Sequence, residues 1–274
     1  MKFHRYIGID YSGAQTPESR LKALQVYEAG RDGEPIKVNT STEGAKNWSR
    51  LEVAQHCHKA LESGEPVIIG IDHAFSFPMN YMQRYGLTSW DEFLQDFMRH
   101  WPTADPHTYV DFVRDNNPRT GDSSDLRLCE QWTATAKSVF LFDVQGSVAK
   151  STHAGLPWLL WLRESPALRG KVHFRTASGV PSSTSYASLR SHFWPFAGFE
   201  VPEGKSVIAE VYPALYKRRF PRDDRTPDEH DAWSIAAWLQ EADRRGILDN
   251  YFTPPLTLPE RKQVELEGWI LGVW

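Results

Sequence analysis

Apolar and polar positions alternate in short runs along the first third of the chain and then shift to helical spacing. Residues 2–10 read as a strand that ends in a Ser-Gly turn, and residues 21–27, "LKALQVY", read as a second. "GRDGEP" is a glycine-rich turn before a third strand at 35–39, so these three strands form an antiparallel meander. Residues 48–61 place Leu51, Val53, Ala54, Cys57, Ala60 and Leu61 at helical intervals. "PVIIGID" is a fourth strand, apolar through its first half, as suits a central strand covered on both faces. Residues 79–145 are aromatic, polar and irregular, with helical pieces such as "SWDEFLQDFMRHW", and read as an insertion or lid within one domain spanning 1–274. "LPWLLWLR" starts a helix with Pro157 in its first turn, "KVHFRT" is a short strand, and "SVIAEVYP" is a fifth main strand. Residues 226–246 are the best helix in the chain, with Thr226 as N-cap, Pro227 as N1, Glu229 closing a capping box and Gly246 as its stop. The order of elements predicts an α/β fold of ribonuclease H-like type. It is a mixed sheet, an antiparallel meander followed by parallel strands, with helices on both faces.

The run Ile-Gly-Ile-Asp occurs twice, ending at Asp10 and at Asp72. A helical crossover makes the first and fourth strands parallel, and as neighbours they lie about 4.8 Å apart. Their ends then bring two carboxylates together at the carboxyl edge of the sheet, where open α/β sheets bind ligands. Such a pair repels unless a cation sits between its members or one takes a proton. An aspartate after a strand also simply starts turns, but the repeat of the whole run favours a site. Glu210 lies among apolar neighbours in its strand and is either a further ligand or base, half of a buried pair with an arginine, or an outward-facing strand residue. Asp231 shares a helical stripe with Ile235 and Trp238 and so faces the sheet. Asp228, one turn earlier, ranks below it, because a first-turn acid also suits the helix dipole.

Composition narrows the setting. Hydrophobic residues make up 41% and charged residues 24%, ordinary for a globular protein, and the net charge of −4 leaves no general basic field for nucleic acid. Any polyanion site must be local. Cys57 and Cys129 are far apart and outside any metal-spacing motif, which fits a reducing, cytoplasmic setting. No run is long enough to span a membrane, and the first residues lack a signal-peptide apolar region.

Two further stretches bear on substrate binding. "GSVAKSTHAG" is not a nucleotide phosphate loop, since Ala149 and Val144 stand where that pattern needs glycine. It is either an ordinary loop before a helix or an anion contact through Lys150, Ser151 and His153. "YKRRFPRDDR" places Lys217, Arg218 and Arg219 between the Glu210 strand and the Asp231 helix. These cations either hold a nucleic-acid backbone near the acids or form a solvated loop balanced by Asp223 and Asp224. Arg127 and Glu130 fit a structural salt bridge equally well, and His73 follows Asp72 closely enough to orient a water.

The set "GIDYSG", "IGIDHAFSFP", "RLCE", "AEVYP", "DEHDA" and "EGWILGV", in this order over nearly the whole chain, resembles the family catalogued as domain of unknown function 429. The resemblance implies a ribonuclease H-like nuclease fold with an acidic site at Asp10, Asp72 and Asp231, and Glu210 nearby. It supplies no substrate. In Holliday-junction resolvases of this fold the last helix offers an acid or histidine three residues before its final aspartate, and Asp228 fills that place here.

The combined reading is a metal-dependent phosphodiesterase using Mg2+ or Mn2+ on Asp10, Asp72 and Asp231, with Asp228 and Glu210 in support, acting on nucleic acid through the local basic loop. Two alternatives stand beside it. One is a phosphotransferase of the sugar-kinase or actin type, which "DYSGA" faintly resembles but which needs two such domains. The other is a binding module without chemistry.

Overall fold

The computed structural model describes residues 1–133, 135–144, 146–168 and 191–274. Its strands are β1 (Arg5–Asp10), β2 (Gln25–Ala29), β3 (Ile36–Lys37), β4 (Val67–Asp72), β5 (Ser191–Trp194) and β6 (Ser206–Glu210). They form one mixed sheet in the order β3-β2-β1-β4-β6-β5. The first three run antiparallel as a meander, while β4 lies parallel to both β1 and β6, and β5 parallel to β6.

The meander and the parallel crossover are as expected, with shifted ends. The second strand begins at Gln25, because Leu21 leaves the ladder to make an isolated bridge with Trp48. The third shrinks to two exposed residues at the sheet edge. β5 was not anticipated: its four residues, all buried, are too few to display a period-two alternation. The stretch 171–176, expected as a strand, lies outside the described residues.

The helices are α1 (Arg50–Glu62), α2 (Met79–Tyr85), α3 (Trp90–His100), α4 (Val110–Arg114), α5 (Leu128–Gln131), α6 (Ala149–Glu164), α7 (Pro227–Arg244), α8 (Leu248–Phe252) and α9 (Leu258–Glu267). α6 corrects the sequence reading. It starts at Ala149, so Pro157 sits in its interior rather than its first turn. Proline leaves the carbonyl four residues back without its usual donor. Here that carbonyl belongs to His153, and the Thr103 hydroxyl donates to it at 2.5 Å. A partner distant in sequence thus makes an interior proline tolerable. α7 carries the expected capping box, with Thr226 accepting from the Glu229 amide, and Gly246 follows it at a positive φ of 68°.

Strand alternation decides which helix meets which side chain. Ile7, Ile9, Ile69, Ile71 and Ile208 face a cluster that includes Val53, Cys57 and Leu61 of α1, Leu159 and Leu162 of α6, and Phe77, Phe93 and Phe97 of the segment after β4. The 79–145 stretch therefore packs into the main core. Tyr6, Ile68, Val207 and Ala209 face the other cluster, with Ile235, Trp238 and Leu239 of α7 and the C-terminal Trp269 and Leu271. Gly8 and Gly70, register partners in the two copies of Ile-Gly-Ile-Asp, face α7. A Cβ on Gly8 would stand 2.2 Å from the Ala232 carbonyl oxygen, and one on Gly70 would stand 2.7 Å from Ile235 Cγ2. Both glycines let α7 lie directly on the sheet.

Candidate functional site

Asp10 and Asp72 are register partners at the carboxyl ends of β1 and β4. They share the parity of Gly8 and Gly70, so they emerge on the α7 face. Asp231 stands one turn before Ile235, the residue over Gly8 and Gly70, which carries it to the same end of the sheet. Asp228 precedes it in the first turn. All four aspartates line one cavity of about 340 Å³. Lys137 of the 79–145 segment and Ser147, Val148 and Ser151 at the start of α6 also line it.

Charge compensation is uneven across these acids. Neither Asp10 nor Asp72 accepts a hydrogen bond among the described residues, whereas Asp231 Oδ2 accepts from Lys217 Nζ at 2.8 Å. Burial, then the neighbouring Asp72 and Asp231 charges, push the Asp10 carboxyl well above its ordinary range. Burial and Asp231 push Asp72 up to about 8, against a smaller opposing pull from Lys217. Each carboxyl therefore favours its protonated form unless a cation offsets the charge. Burial and Asp231 also raise Asp228. The Tyr216 ring, stacked on Trp238 at 4.5 Å, is buried with its hydroxyl unpartnered among the described residues, and Asp72 and Asp231 are the charges that act on it.

Glu210 behaves differently, and the expectation of a ligand or base there is corrected. Its register partner is Ile71, so it leaves β6 on the face opposite to the aspartates. Arg127 donates to it through both terminal nitrogens, at 2.6 and 2.8 Å, and the Phe75 amide donates to Oε2 at 3.0 Å. Arg127 Nε donates to Glu130 at 2.8 Å, and all three side chains are buried. Glu267 continues the assembly, accepting the first amides of α2 and α5 from Met79 at 2.5 Å and Leu128 at 2.8 Å. These groups tie β6, the 79–145 segment and α9 together, leaving Glu210 in the cavity wall engaged by the Arg127 guanidinium.

The expected substrate contacts separate. Ser151 lines the cavity, although its hydroxyl donates to Val148 O at 2.9 Å. Lys150 is turned outward to Asp111 at 2.7 Å. His153 is fully buried, its Nδ1–H donating to the Ala149 carbonyl at 2.9 Å, with the Trp101 ring 4.4 Å away. It is a core residue, because helix α6 has already begun and turns it inward. Of the basic loop, Lys217 reaches the cavity, while Arg218 and Arg219 do not line it and Arg219 contacts Glu241 at 3.3 Å. His73 lines the cavity in a neutral state, burial holding it down at about 4, and its Nδ1–H donates to the Ala74 carbonyl at 2.9 Å. That bond leaves Nε2 as an acceptor.

Among the described residues, no group of three or more His, Cys, Asp or Glu side chains is placed to hold a metal ion as it lies. Asp231, the third acid expected to ligate, is engaged with Lys217. The donor set is thus two carboxylates that accept no hydrogen bond among the described residues. It matches a hard cation that keeps most of its water, as magnesium does, better than one that needs an all-protein cage. No helix among the described residues is long and apolar enough to cross a membrane. Comparison with protein-family models, curated proteins and solved structures finds no match.

Sequence reasoning missed the packing role of the two repeated glycines and the pairing of Lys217 with Asp231. For the glycines the signal was present, since the repeat preserved Gly as well as Asp. For the ion pair, no local pattern carries it.

Proposed function

We propose that this chain is a divalent-cation-dependent phosphodiesterase of nuclease type on a ribonuclease H-like sheet. The observation that carries the reading is the registered pair Asp10 and Asp72, two partly buried carboxylates with no donor among the described residues, set at the carboxyl edge of a central parallel strand pair. The order of a three-strand meander followed by parallel strands agrees with the ribonuclease H-like arrangement, as does the resemblance to the domain of unknown function 429 family.

Asp10 and Asp72 would hold Mg2+ or Mn2+, with Asp231 and Asp228 adding negative charge beside them. Bound there, such an ion supplies Lewis-acid stabilisation of a phosphoryl oxygen and lowers the pKa of water. The chain's own contributions are then defined. Neutral His73, with Nε2 free to accept, can orient a water at the cavity wall. Lys217 supplies positive charge for a phosphate oxygen. The Arg127–Glu210 pair holds the loop after β4 through Phe75.

Manganese titration by calorimetry, comparing the wild type with Asp10→Asn, tests the reading. Binding that weakens at least tenfold in the variant is the expected result. No binding at millimolar metal, or equal binding in both proteins, overturns it. With binding established, hydrolysis of single-stranded and duplex oligonucleotides is measured next. Uptake of ATP instead would point to a phosphotransferase.

A further inference from the structure

We infer that Lys217 takes the place of a second metal ion, so that the site holds one divalent cation between Asp10 and Asp72 and a tethered ammonium beside Asp231. The inference rests on the cation-site reading above and specifies its stoichiometry.

Two-metal phosphoryl-transfer sites keep their ions roughly 3.5–4 Å apart, bridged by carboxylate oxygens. The acids here could in principle form two such positions, one at Asp10 and Asp72, the other at Asp228 and Asp231. Lys217 Nζ already occupies the second, 2.8 Å from Asp231 Oδ2. A divalent ion placed there would face an ammonium at contact distance and compete with it for an Asp231 oxygen. Asp228 precedes Asp231 by one turn of α7 and also lines the cavity.

The backbone that carries the ammonium is anchored. The preceding Tyr216 is buried and stacked on Trp238 of α7, with the ring planes 4° apart. The Lys217 carbonyl accepts from the Phe220 amide at 3.2 Å and lies 3.2 Å from His230 Nε2 of α7. The lysine stem thus leaves a turn clamped to the same helix that carries Asp231. Its positive charge also acts on Asp10 and Asp72. In that position Lys217 can neutralise charge at the oxygen remote from the metal, the part a second ion would otherwise play.

Metal stoichiometry is the direct test. Equilibrium dialysis with Mn2+ and electron paramagnetic resonance of the bound ion are applied to the wild type, Lys217→Gln and Lys217→Arg, each checked for folding by circular dichroism. One Mn2+ per chain is expected in the wild type and in Lys217→Arg. Lys217→Gln is expected to approach two per chain, with the spectral broadening of two nearby ions, and to bind the first ion several-fold more tightly. Two ions per wild-type chain, or a single unchanged ion in folded Lys217→Gln, would overturn the inference while leaving the cation site intact. No binding in any of the three proteins would remove the cation site itself.

Discussion

Glu210 and Asp72 lie on adjacent strands at the same end of the sheet, yet their charges meet opposite surroundings. Glu210 has a guanidinium across both oxygens; Asp72 has another carboxylate beside it. Arg127→Met leaves Glu210 and Glu130 buried without their cation, which should cost roughly 3–5 kcal/mol in chemical denaturation. For Asp72 the sign is the reverse of an ordinary salt-bridged acid. Its folded pKa of about 8 lies above the ordinary 3.8, so the folded state holds a proton that the unfolded chain releases. That stabilisation is complete below the ordinary value and is lost as pH rises through about 8. Melting temperature in the presence of chelator should therefore fall across this window, and Asp72→Asn should flatten the fall. A wild-type profile no steeper than that of the variant would contradict the charge assignment.

At the scale of elements, the position of α7 governs the site more than any one acid does. The helix bears Asp228 and Asp231, and it reaches Asp10 and Asp72 only because Gly8 and Gly70 allow it onto the strands. Gly8→Ala drives a methyl group against the Ala232 carbonyl. We expect a loss of roughly 1–3 kcal/mol from overpacking, together with weaker manganese binding as the helix lifts. Denaturation and titration of the same preparation measure both. Unchanged metal affinity in a destabilised Gly8→Ala protein would show that the α7 acids do not contribute. Helix α6 makes a similar point, since its early start buries His153 and turns Lys150 out to Asp111, dispersing a motif that looked continuous in sequence.

For the whole molecule, the net charge of −4 and the disposition of the basic loop limit how a polyanion can bind. Lys217 enters the cavity, while Arg219 contacts Glu241 and Arg225 contacts Asp223 at 2.9 Å. With one or two phosphate contacts, the logarithm of oligonucleotide affinity should fall with the logarithm of salt at a slope of about −1 to −2. Fluorescence anisotropy across a potassium chloride series gives that slope. A value steeper than about −4 would mean that the remaining loop arginines, or surfaces outside the cavity, carry the binding.

Much of this arrangement is legible in the chain itself. Period-two and helical spacing mark the meander, β4, α1 and α7, and the capping box at Thr226 is local by nature. The repeated Ile-Gly-Ile-Asp defines a register in which two aspartates end side by side, because strand period assigns every residue to a face once neighbours are known. What tertiary structure alone decided are the matches between groups far apart in sequence. These include Arg127 against Glu210, the Thr103 hydroxyl on the carbonyl freed by Pro157, and Lys217 held beside Asp231 by the Tyr216–Trp238 stack. Periodicity tells which way a side chain points, but the free energy of its charge depends on what the rest of the chain brings to meet it.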